Sequence, residues 1–62
     1  MDRSYDIFEI MPDGAPVWRQ VIAGHENAIA RLKELSTTTK NELRLVHIPT
    51  NTVIAALNKP AL

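Results

Sequence analysis

The sequence predicts an α+β domain of order ββαββ: a four-stranded antiparallel sheet with one helix packed on one face. Three observations predict it. Two strand-forming segments flank a Pro-Asp-Gly turn, a single amphipathic helical stripe follows, and a two-residue alternation then returns on both sides of a second Pro-first turn.

Residues 5–11 (Tyr-Asp-Ile-Phe-Glu-Ile-Met) are rich in strand formers, and too few for a globular helix. Pro12, Asp13 and Gly14 end them. Proline presets φ for the first central position of a type I turn, aspartate suits the second, and glycine accepts the left-handed conformation that follows. The result expected is a hairpin with a bulge at Gly14. Residues 17–23 form the returning strand, and Pro16 before them has no N–H for a ladder, which suits an edge.

Gly24 breaks that strand. Ala28, Ile29, Leu32 and Leu35 then fall at i, i+1, i+4 and i+7, one stripe of a helix, with Glu26 supplying negative charge to its first turn. The helix should fail within Ser36-Thr37-Thr38-Thr39, where hydroxyl side chains compete for the backbone, and Asn41 is expected as a left-handed stop. From Glu42 to Ile48 the alternation returns. Pro49 and Asn51 repeat the first turn's logic, with Asn51 in the place of Gly14, and residues 53–57 form the fourth strand. One domain is expected over 1–62, its ordered part about 5–58 and a tail at 59–62.

A helix between the second and third strands returns the chain along the sheet, so these two strands run the same way and antiparallel to the first. Pairing the third with the first gives order 2-1-3-4 with a right-handed crossover. Direct parallel pairing of the second and third strands is the alternative.

Composition narrows the function classes. A chain of 62 residues buries only about 60% of its unfolded surface, and without cysteine it has neither disulfide nor thiolate metal site to supplement the core. Seven basic side chains balance seven acidic ones, which removes the electrostatic signature of a nucleic-acid or acidic-membrane binder. A hydrophobic share of 45% argues against disorder, and no apolar run approaches a bilayer span. Residues 1–4 hold no hydrophobic run, so no leader is expected. A cytoplasmic domain without cofactor is expected.

Within each hairpin, partners of equal parity share a face. That parity puts Asp6, Phe8, Ile10, Trp18, Gln20 and Ile22 on one face of the first hairpin, and Tyr5, Ile7, Glu9, Val17, Arg19 and Val21 on the other. In the second hairpin, Leu43, Leu45, His47, Val53, Ala55 and Leu57 share a face opposite Glu42, Arg44, Val46, Ile48, Ile54 and Ala56. One helix covers one face, yet both faces keep large hydrophobes. Burying ~400 Å² of the second face is worth roughly 10 kcal/mol per chain before association costs. A homodimer packed sheet on sheet is therefore expected, with Ile10, Trp18, Arg44, Val46 and Ile54 as candidate interface residues. The competing reading has the stems of Glu9, Arg19, Glu42 and Arg44 cover those apolar atoms in a monomer. Residues 1–30 carry two basic and five acidic side chains, and residues 31–62 carry five and two, a −3/+3 split that suits antiparallel pairing of copies or of hairpins within one sheet.

Chemistry-bearing residues are sparse. His25 and His47 have no close-spaced ligand cluster for zinc and are read as structural. Ser36 and Thr37–Thr39 are read as a helix end rather than nucleophiles, and Asp2, Asp6, Glu9 and Asp13 lie on a terminus, a strand and a turn. Gly14 and Gly24 make no phosphate loop, although Gly24 precedes a helix amino terminus. Phe8 and Trp18 are expected as packing neighbours, because acidic residues surround them where base stacking would need basic ones. No enzyme activity is expected. The alternative is a small-molecule or catalytic pocket between subunits using Tyr5, Arg19, Arg44 or His47.

Tyr5-Asp6-Ile7-Phe8-Glu9, Pro12-Asp13-Gly14, Trp18-Arg19, Asn41-Glu42 and Pro49-Thr50 together resemble short bacterial single-domain proteins of unknown function, over most of residues 5–58. That resemblance carries no site residue. The first two strands and the helix also resemble the antitoxin of HicAB-type toxin–antitoxin pairs, whose fold has a further strand and often a DNA-binding tail that this sequence lacks. The likeness implies a regulatory binder of a protein partner.

Overall fold

A computed structural model describes residues 3–58, so the tail expected at 59–62 lies outside the described residues. Strand β1 spans Ser4–Ile10 and β2 spans Pro16–Ala23. Between them the Gly14 amide donates to the Met11 carbonyl at 2.8 Å, and the Met11 amide to the Ala15 carbonyl at 2.9 Å. Gly14 has φ +91°, and Asp13 Oδ1 accepts the Ala15 amide at 2.9 Å, so the side chain locks the turn that glycine permits. Strand β3 (Glu42–His47) and β4 (Thr52–Leu57) are joined in the same way. The Asn51 amide donates to the Ile48 carbonyl at 3.3 Å, and Asn51 takes the left-handed conformation at φ +54°.

Helix α1 spans His25–Ser36. The Gly24 amide donates to the Arg3 carbonyl at 2.8 Å, which ties the helix entrance to the chain just before β1. At the far end, the hydroxyls of Ser36, Thr37 and Thr38 donate to the carbonyls of Lys33, Glu34 and Leu35 at 2.6–2.9 Å. The Glu34 and Leu35 carbonyls also accept the Thr37 and Thr38 amides at 3.0–3.1 Å, so the hydroxyls reinforce a tightened last turn, the backbone competition that their run predicts. The expected left-handed stop at Asn41 is a correction: among the described residues, the left-handed non-glycine ones are Asn51 and Asn58. Asn41 sends its side chain to Glu9 instead, while Asn58 Nδ2 lies 3.0–3.3 Å from the carbonyls of Ser36, Thr39 and Asn41 and clasps the α1–β3 connection.

The sheet order is β2-β1-β3-β4, antiparallel throughout, which settles the topology against parallel pairing of β2 with β3. Helix α1 covers the face carrying Tyr5, Ile7, Leu43 and Leu45, and packs Ala28, Leu32 and Leu35 into it. Ile22, Ile29, Ala55 and Leu57 close the sides of this core.

Two bulges correct the parity reading. Ile7 pairs with Gln20 but Phe8 with Trp18, so Arg19 is an extra residue in β2. Gln20 and Ile22 therefore share the helix-covered face with Ile7 and Tyr5, and Val21 moves to the opposite one. Likewise Leu45 pairs with Ala55 but Val46 with Val53, so Ile54 is extra in β4 and Val53 joins the open face rather than the core. A bulge adds one residue to one strand, so it reverses every side chain beyond it. Only the register shows it.

Candidate interaction face

Opposite the helix, the register arranges the sheet's open face in rows across the strands. One row runs Trp18, Phe8, Arg44, Ala56, and the next runs Val21, Asp6, Val46, Val53. Ile10 and Pro16 continue the apolar surface towards the first turn. At the edges Trp18 is 54% exposed, Val21 52% and Val53 51%, while central Val46 is 8% exposed. Phe8, Ile10, Pro16, Arg44, Val46 and Val53 line a shallow hollow of about 180 Å³.

Polar groups on this face are few and engaged with one another. Trp18 Nε1 donates to Asp6 Oδ1 at 3.0 Å, and Arg44 Nε donates to Glu42 Oε2 at 2.8 Å. The Glu42 carboxylate beside it raises the Arg44 pKa further, so this cation stays charged. Of the candidate residues, Ile10, Trp18, Arg44 and Val46 thus lie together on the open face. Ile54 instead occupies the outer bulge, exposed beside Arg44 and Val53. Phe8, Val21 and Val53 complete the patch. The alternation could have found Phe8 from sequence, but Val21 and Val53 are hidden by the bulges.

Of the four residues of the alternative pocket, Tyr5 and His47 are cross-strand neighbours, while Arg19 and Arg44 lie apart from them. Tyr5 lies in the core, with its ring centroid 5.9 Å from that of His25 and 5.2 Å from that of His47. His47 Nδ1 lies 3.0 Å from Thr50 Oγ1, which ties the imidazole to the second turn. Arg44 is on the other face. Arg19, the bulged residue, donates to Glu9 Oε1 at 2.6 Å. Among the described residues, no group of three or more His, Asp or Glu side chains is placed to hold a metal ion.

Glu9 is the residue that the alternation misjudges. It occupies the helix-covered face beyond the helix end and is only 5% exposed, although a strand carboxylate is ordinarily solvated. Thr39 Oγ1 and Asn41 Nδ2 each donate to Oε2 at 2.8 Å, while Arg19 takes Oε1. Three hydrogen bonds to the one carboxylate stitch β1, the β2 bulge and the α1–β3 connection together, a satisfied structural hub. The hydrogen bonds from Asn41 and Thr39, then the Arg19 charge, hold the Glu9 pKa below its ordinary value of 4.5 against the opposing effect of burial.

A carboxyl whose folded pKa is depressed stabilises the fold above its unfolded pKa, and that contribution is lost as pH falls through the folded value. Stability should therefore be flat in this respect near neutrality and decline from about pH 4.5 downward. Urea titrations from pH 7 to 2, parent against Glu9→Gln, check this. The parent should show the steeper acid limb, and parallel curves would remove Glu9 from its cause.

No helix among the described residues is long and apolar enough to cross a membrane. Comparison with protein-family models, with curated proteins and with solved structures found no match for this chain.

Proposed function

We propose that this domain is a non-enzymatic interaction module that self-associates through the open face of its sheet. The observation that supports this reading is the continuous apolar patch from Pro16 and Trp18 to Val53, left uncovered because the single helix is spent on the other face. Four strands at about 4.8 Å spacing, each about 20 Å long, present roughly 400 Å² of plane. Burying that much apolar surface on both copies yields roughly 20 kcal/mol, against about 4–15 kcal/mol for the lost freedom of association. The surplus, about 5–16 kcal/mol, corresponds to dissociation constants from about 0.2 mM down to picomolar.

Sedimentation at ~10 and ~500 µM should show dimer prevailing at the higher concentration, which exceeds the weakest of these constants. Val53→Lys puts a charge at the patch rim without touching the core, so it should keep the chain monomeric at both concentrations with folding stability changed by less than about 1 kcal/mol. Val17→Lys is the control, since Val17 is exposed but pairs with Glu9 on the helix side. A parent that stays monomeric, or a Val53→Lys chain that dimerises like the parent, overturns the reading. Val46→Lys is a poor test, because Val46 is already buried within the monomer.

A further inference from the structure

We infer that the second copy docks about a two-fold axis running along the strands, so that the Trp18 edge of each sheet lies over the β3–β4 half of the other. This rests on the self-association proposed above and specifies its geometry. The open face is uneven: β2 raises Trp18 and Val21, both more than half exposed, whereas the opposite end of the Trp18 row is Ala56. An axis along the strands keeps each row on its own row and exchanges the ends, setting the indole over the small residue. Packed sheets lie ~10 Å apart, so large must meet small for the layers to interdigitate.

Charge points the same way. Asp6 lies on β1 one row from Arg44 on β3. Exchange of β1 with β3 brings the Asp6 of each copy beside the Arg44 of the other, and the partner's indole reaches the exposed side of that guanidinium. An axis across the strands instead stacks β3 on β3. Centred on the patch, it opposes Arg44 to Arg44 and Trp18 to Trp18. Shifted to avoid that clash, it leaves a row of the patch in water.

The absence of cysteine makes the test clean. Val21 and Val53 occupy opposite ends of one row, and both are exposed. Val21→Cys and Val53→Cys chains are prepared separately, then mixed at ~500 µM with a short bismaleimide, with sedimentation of the untreated proteins alongside. Sheets ~10 Å apart hold facing Cα atoms beyond the ~7 Å limit of a disulfide but within reach of a spacer of about that length, so the mixture should form the Val21–Val53 cross-link about tenfold faster than either chain forms its own. Faster self-linking of Val21→Cys places β2 over β2 and overturns the axis while sparing the dimer. Dimeric mass without any cross-link overturns it too. Monomeric mass for the parent overturns the underlying reading as well.

Discussion

Replacing Glu9 with alanine should cost about 3 kcal/mol, because it removes the acceptor of three charge-assisted hydrogen bonds and strands Thr39 and Asn41 with unmet donors. Arg19 softens the loss, since its side chain is 45% exposed and can return to water. For a chain of this size, total stability is about 3–9 kcal/mol, and each kcal/mol is worth about 4–8 °C in Tm. Glu9→Ala should then melt about 12–24 °C below the parent by circular dichroism, with its acid limb flattened. Glu9→Gln keeps an acceptor for one neighbour and should lose roughly half as much. If Glu9→Ala falls within about 1 kcal/mol of the parent, the carboxylate is not what holds the α1–β3 connection to the sheet.

Leu45→Ala should be of similar size, about 3–4 kcal/mol. Leu45 is fully buried in β3, a central strand, between Ile7 and Ala55 and beneath the helix. Neither backbone neighbour can move to fill the void, since both are fixed by ladder bonds, so the cavity term adds to the lost transfer energy. The informative contrast is Val53→Ala, half-exposed on the open face, which should change monomer stability by less than about 1 kcal/mol. Urea denaturation of both variants, diluted until the midpoint no longer changes with concentration, measures the difference free of association. Equal losses would mean that the two faces are not core and surface.

The fold was legible in the sequence because each element is announced locally. Two Pro-first turns, one three-four spaced stripe and two alternating segments leave few topologies, and the short helical crossover selects order 2-1-3-4. Faces were legible only as far as the bulges. Nothing in Trp18-Arg19-Gln20 or Val53-Ile54-Ala55 marks the middle residue as extra, because a bulge is a property of the pair of strands rather than of one. Glu9 escaped for a related reason: its partners Thr39 and Asn41 lie 30 and 32 residues away, and only the packed sheet brings them within reach. Asparagine's tolerance of positive φ points to Asn41 as a helix stop, but its amide has a stronger use against a buried carboxylate.

Both outermost strands, β2 and β4, carry a bulge, at Arg19 and Ile54. A bulged rim interrupts the even ladder that a newcomer strand would have to copy, and Pro16 removes one donor from the β2 side. Lateral growth, the route by which short greasy ribbons stack into fibrils, is thereby discouraged at either margin. A chain with so much apolar surface can then remain dispersed in finite units at high concentration, rather than polymerise.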